Sequence, residues 1–122
     1  MIKAMEQTNQ GANIAPGLLI DLNFVEQAVA RSYDVTMQEL HSGTRKREIV
    51  EPRQIVMFFG YRMLKMRLSK VGAHFVKDHA TVSHAERKVK ELYQTSKPYR
   101  NRMNEFLVQF GTDPSTFQFL KA

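Results

Sequence analysis

Between His79 and Thr95 the apolar residues Val82, Ala85, Val89 and Leu92 recur at intervals of three, four and three. That spacing lays a single apolar stripe along a helix, while Thr81, Ser83, His84, Arg87, Lys88 and Lys90 turn polar groups outward. A helix with one apolar stripe needs a partner surface to cover it. No segment of the chain alternates with the period of two that marks a half-buried strand, so other helices must supply that surface. The expected fold class is all-α, a compact domain of about six helices.

The remaining helices can be read from their ends. Residues 1–17, polar with Gly and Pro, are expected to form a flexible arm. A first helix is predicted from about Asp21 to Tyr33, with Leu22, Val25, Val29 and Tyr33 at helical spacing beside the small Ala28. Thr36-Met37-Gln38-Glu39 matches a capping box, which opens a short helix that Ser42-Gly43 stops. The stretch TRKREIV, basic and then apolar, reads as a loop. EPRQ restarts a helix with Pro52 in its first turn, and Ile55, Phe58, Phe59, Met63 and Met66 form its core face. LSKVGAHF (68–75) is a short helix with Gly72 near its end, and Asp78 is placed to cap the long helix over 79–95. A last helix runs from Pro98 to Phe110, with Met103, Phe106 and Phe110 as its apolar face, and Gly111 closes it. The domain is thus expected over 18–111 with a tail over 112–122. Phe117, Phe119 and Leu120 in that tail have two courses open: to fold back on the domain or to serve a partner.

The totals bound the function. Eighteen Lys and Arg against 12 Asp and Glu give a net charge of +6, which favours a polyanionic partner. The absence of cysteine excludes disulfide scaffolds, Cys-ligated zinc and thiol nucleophiles. No apolar run approaches the roughly 20 residues of a membrane span, and no secretory pattern opens the chain, so a cytoplasmic location is expected and no membrane partner.

The run KDHATVSHAERKVKEL (77–92) places two histidines among basic residues, and three chemistries compete for it. His79 and His84 are five residues apart, roughly 140° around a helix, whereas helical zinc pairs use i and i+4. His41 and His74 lie in other segments, form no recognisable ligand pattern, and are read as structural, so no metal and no cofactor is expected. There is no nucleophile elbow, phosphate-cradling glycine loop or paired-carboxylate site, so no enzyme is expected. The third chemistry is DNA recognition. LSKVGAHF, VKD and HATVSHAERKVKEL have the lengths of a helix-turn-helix, whose second helix enters the major groove by its N-terminal end. Lys77 donates there to phosphate or a base edge, and Asp78 accepts from a cytosine amino group. His79 does either, and Thr81 offers a hydroxyl and a methyl.

KDHATVSHA closely resembles the signature of the C-terminal DNA-binding domain of DnaA, the bacterial replication initiator, in which an Arg/Lys-Asp-His-Thr-Thr-Val run is followed by His-Ala. LSKVGAHF resembles the helix that precedes that signature, EPRQIVMFF its Arg-Pro-Arg-Gln stretch, VARSYDVTMQEL its first two helices, and SGTRKREIV takes the place of its basic loop. The resemblance covers roughly residues 21–95. It implies binding to double-stranded DNA at short boxes, in a bacterial cytoplasm or nucleoid, with the signature helix in the major groove and the basic loop in the minor groove. Carried over by position, the implied major-groove readers are Lys77, Asp78, His79 and Thr81, with Ala80 facing a thymine methyl and His84 at the backbone. Arg45 aligns with the minor-groove arginine, extended by Lys46 and Arg47, and Arg53 and Gln54 are implied to touch phosphates.

The chain departs from the family pattern at Ala80, at Glu51, which replaces the first Arg of Arg-Pro-Arg-Gln, and in a turn one residue shorter that lacks Gly-Gly. These departures bear on the box sequence more than on DNA binding. The family's ATPase and helicase-loading regions have no counterpart in these residues, so no ATP-driven activity is expected of them. The rival class is a DnaA-like helical domain used for protein–protein contact, as a homodimer or with a replication-initiation partner, through Phe117 and Phe119. RNA binding lacks exposed aromatic platforms.

Overall fold

Two aromatic pairs mark the middle of the fold: the rings of Phe59 and Phe110 meet edge-on at 5.2 Å, and those of Phe58 and Phe117 at 6.0 Å. The computed structural model describes residues 20–120, apart from the side chain of Phe119; the arm expected over 1–17 lies outside them. Six α-helices follow in order, α1 (Leu22–Tyr33), α2 (Met37–Leu40), α3 (Arg47–Phe58), α4 (Leu68–His74), α5 (His79–Thr95) and α6 (Lys97–Gln109). A π-helical turn, Phe59–Met63, extends α3, and two 3₁₀ turns, Pro114–Thr116 and Gln118–Leu120, end the described chain. Among the described residues there is no strand, and no helix is long and apolar enough to cross a membrane. α3 is the central helix, packed against both α5 and α1.

The helix ends follow local chemistry. The Phe24 N–H donates to the Asp21 carboxylate at 2.9 Å and fixes the start of α1. Asp34, at φ 56°, ends it in the left-handed region that Asp tolerates better than most residues. The predicted capping box opens α2: the Glu39 N–H donates to Thr36 Oγ1, and the Thr36 N–H donates to Glu39 Oε1, each at 2.9 Å. Ser96 caps α6 by accepting from the Tyr99 N–H at 3.3 Å. Gly111, at φ 79°, follows α6 in a conformation that glycine adopts without strain.

Two expectations need correction. α3 begins at Arg47, inside the stretch read as a loop, so Pro52 is the sixth residue of the helix and not in its first turn. Its missing N–H leaves the Glu48 carbonyl without a helical donor; Glu48 is exposed, which gives that carbonyl access to water. The helix also does not run straight to Met66. At Phe59 the bonding changes, with the Leu64 N–H donating to the Phe59 carbonyl at 2.9 Å, one residue wider than an α-turn. Ile55, Phe58 and Phe59 are fully buried, whereas Met63 and Met66 lie only at the edge of the core. Gly60 explains the close fit of this turn: a Cβ there would stand 3.0 Å from Leu22 Cδ1 and 3.3 Å from Val71 Cγ2.

The tail folds back. Phe117 and Leu120 are both buried in the core, so the packed unit extends past the boundary at 111 read from sequence. Phe117 is therefore not the exposed aromatic that the protein-contact alternative needs.

The turn between α4 and α5 is held by a six-to-one bond, Lys77 N–H to the Gly72 carbonyl at 2.8 Å, and by Val76 N–H to the Ala73 carbonyl at 3.1 Å. This is the Schellman arrangement, whose pivotal residue is usually glycine. Here it is Val76, at φ 55° and 88% exposed. A β-branched side chain is strained in that region. Replacing Val76 with Gly relieves the strain at some cost in unfolded-chain entropy, and the expected net gain is about 0.5–1 kcal/mol by urea unfolding.

Candidate nucleic-acid interface

At the N-terminal end of α5 the side chains face solvent while the backbone packs on α4. Asp78, His79, Ala80, Thr81 and His84 are exposed, Lys77 is half-buried, and Val82, Ala85 and Val89 anchor the opposite side of the helix at zero exposure. Gly72 sets the position of this end. A Cβ on Gly72 would stand 2.5 Å from the Lys77 carbonyl oxygen and 3.1 Å from that of Asp78, so only glycine lets α4 and the start of α5 approach so closely.

Asp78 caps α5. Its Oδ1 accepts from the Thr81 N–H at 2.9 Å and from the Thr81 hydroxyl at 2.8 Å. Those two bonds, the backbone one first, hold the Asp78 carboxyl below the usual aspartate range. Capping and outward reading are compatible, because both Thr81 bonds go to Oδ1. Thr81 presents its methyl and acceptor lone pairs, while its hydroxyl proton is already committed to Asp78.

Arg45, Lys46 and Arg47 are exposed at the other basic stretch. The backbone leading to them is stitched: the Ser42 hydroxyl donates to the Glu39 carbonyl at 2.7 Å, and the Lys46 N–H donates to Thr44 Oγ1 at 3.2 Å. The main brace is Arg53. Its Nε donates to the Leu40 carbonyl at 2.8 Å, one terminal nitrogen to Ser42 at 2.8 Å and the other to Thr44 at 3.2 Å. Only 5% exposed, Arg53 is committed to bracing this loop and is not held out to solvent as the phosphate contact implied for it requires. The signal for this was present: in a helix begun at Arg47, Ile49, Arg53 and Val56 fall on one stripe, and all three are buried. Gln54 is half-buried one position on. Glu51, the acidic departure from the family pattern, accepts from the Tyr33 hydroxyl at 2.7 Å.

The two basic stretches spring from one corner. The rings of His41, at the end of α2, and His74, the last residue of α4, lie 4.9 Å apart. Arg45 is four residues beyond His41 and Lys77 three beyond His74, so the Cα of each stretch's first residue lies no more than roughly 14 Å from the Cα of its histidine. Sequence reasoning left these two histidines as unconnected structural residues, because nothing in the spacing of 41 and 74 announces that their segments meet.

Two outcomes are expected. Arg53→Ala leaves three carbonyls without their donor and lowers stability by about 2–4 kcal/mol in urea unfolding; an arginine that only gripped phosphate would leave stability intact. For Asp78, a depressed carboxyl pKa means the cap stabilises fully above the ordinary aspartate value and is lost as pH falls through the lower, folded value. The stability gap between the native chain and Asp78→Ala is therefore open at neutral pH and closes in acid, below about pH 3.9.

Comparison with known proteins gives the family. The family model for the bacterial dnaA protein helix-turn-helix matches residues 22–89. The chromosomal replication initiator protein DnaA of Flavobacterium psychrophilum is 32% identical over 87 residues, 70% of this chain and 18% of that protein. Those of Bartonella quintana and Brucella abortus are 39% and 40% identical over 74 residues, 60% of this chain and 15% of each relative. The chain thus spans less than a fifth of the length of these relatives. With the family model covering α1 to Val89 of α5, turn and exposed tip included, the chain belongs to the bacterial DnaA helix-turn-helix family.

Proposed function

We propose that the chain is a sequence-preferring reader of double-stranded DNA. In this reading the tip of α5 enters the major groove, and the loop carrying Arg45, Lys46 and Arg47 reaches the neighbouring minor groove. The observation that carries it is the exposed, capped α5 tip, rooted in the same corner as the basic loop. His79 and Oδ2 of Asp78 meet base edges, Ala80 and the Thr81 methyl meet thymine methyls, and Lys77 and His84 meet the backbone. A narrow minor groove concentrates negative potential, which suits an exposed arginine such as Arg45. Arg87, Lys88 and Lys90 add long-range attraction, weakened at Lys88 by its 3.6 Å pairing with Glu91. The relatives are named as chromosomal replication initiators, which makes boxes of a replication origin the natural target class.

Selection of bound sequences from random duplex DNA, followed by titration, tests this. His79→Ala is expected to cost ~1–3 kcal/mol on the selected box and little on random duplex. Equal losses on both would contradict a reading role. With Arg45, Lys46, Arg47 and Lys77 on phosphates and Arg53 excluded, log affinity should fall against log salt with a slope of about −3 to −4.

A further inference from the structure

Glu26 lies inside α1, on the stripe formed by Leu22 and Val29, and is 1% exposed. Its carboxylate faces the two histidines of the corner. His74 Nε2 is 2.9 Å from Oε1, in hydrogen-bond contact. His41 Nε2 is 2.5 Å from Oε2 but outside hydrogen-bond geometry, so this buried oxygen has no hydrogen bond among the described residues. A carboxylate buried this deeply depends on these two imidazoles to offset its desolvation. The three donor atoms, one carboxylate oxygen and two imidazole nitrogens, all lie within 4.8 Å of one another.

We infer that Glu26, His41 and His74 form a binding site for a divalent transition-metal ion, of which Zn²⁺ is the best match. Two imidazoles and one carboxylate are a donor set that zinc takes, with its fourth position left to water, whereas Mg²⁺ and Ca²⁺ prefer oxygen alone. Bonds of roughly 2.0–2.2 Å in a tetrahedron put donors roughly 3.3 Å apart, so a metal would draw these atoms into place by shifts on the order of an ångström. The rings are already oriented. His41 stacks on Phe75 at 4.8 Å and 24°, and His74 meets the same ring edge-on at 4.9 Å. Phe75 is itself buried, a firm backing for both. The histidine side chains are 35% and 31% exposed, which opens the outer side of the site to ions in solution. The metal would join α1, the end of α2 and the end of α4, bracing the corner from which the basic loop and the α5 tip arise.

The site does not depend on the DNA-reading proposal, and its test uses no DNA. The full chain, freed of metal by a chelator, is titrated with Zn²⁺ by calorimetry and by thermal unfolding. One equivalent should bind in the micromolar range or tighter, and Tm should rise with zinc concentration. His41→Gln and His74→Gln should each weaken binding about tenfold or more, while the double variant H79Q/H84Q keeps the full equivalent. Nitrogen-detected NMR of the native chain provides a measurement free of any folding defect in the variants: zinc should shift the Nε2 signals of two histidines out of four. Absence of saturable binding, binding that survives loss of His41 and His74 together, or shifts confined to His79 and His84 would overturn the assignment.

Discussion

The Lys77 carbonyl rests where a side chain on Gly72 would stand, and the direction of the longest helix follows from that contact. With α4 and the first turn of α5 at this distance, the bond from the Lys77 N–H to the Gly72 carbonyl closes the turn in three residues. The side chains of the tip are then left open to solvent. Val82, Ala85 and Val89 hold the rest of α5 against α3 and α4, so the tip is presented by a rigid body. The turn is short because Val76 takes the left-handed conformation itself, a strained solution where the family pattern has glycines.

Among the described residues two charged side chains are buried, and both organise backbone near the candidate interface. Arg53 spends its guanidinium on three carbonyls of the segment 40–44, turning a basic loop into a shaped one. Glu26 draws His41 and His74 together, joining the start of that loop to the end of α4. A buried charge is tolerated only when its polar atoms are occupied. Arg53 meets that condition with three backbone carbonyls, whereas Glu26 meets it with two part-exposed imidazoles, groups that also ligate metals.

Much of this was legible in the chain. The α5 stripe, the Asp78 cap, the Thr36–Glu39 box and the glycine after α6 are local signals, each set by residues within a few positions of one another. What sequence reading missed was non-local or hidden by an early error. A helix restarted at EPRQ leaves out Ile49, and with it the stripe that marks Arg53 as buried. A basic residue in a basic neighbourhood was then assigned to phosphate by resemblance. Glu26 stands on an apolar stripe of α1 in the same way, four residues after Leu22 and three before Val29. A lone acid on such a stripe is a hint of a buried partner, but its partners come from α2 and α4, and no spacing rule joins those segments. The π-helical turn at Phe59 has no short-range signature either; the close packing of Gly60 on Leu22 and Val71 emerges only in the fold.

The proposed function unites these parts: a strained, glycine-seated turn aims α5, and an arginine-braced loop presents basic groups from the same corner. NMR mapping of backbone amides during titration with a selected duplex tests that union most directly. The account predicts that the largest shifts fall together on residues 77–81 and 45–47, with Arg53 signals changing little. Shifts centred on α6 around Val108, or on one of the two basic stretches without the other, would contradict it.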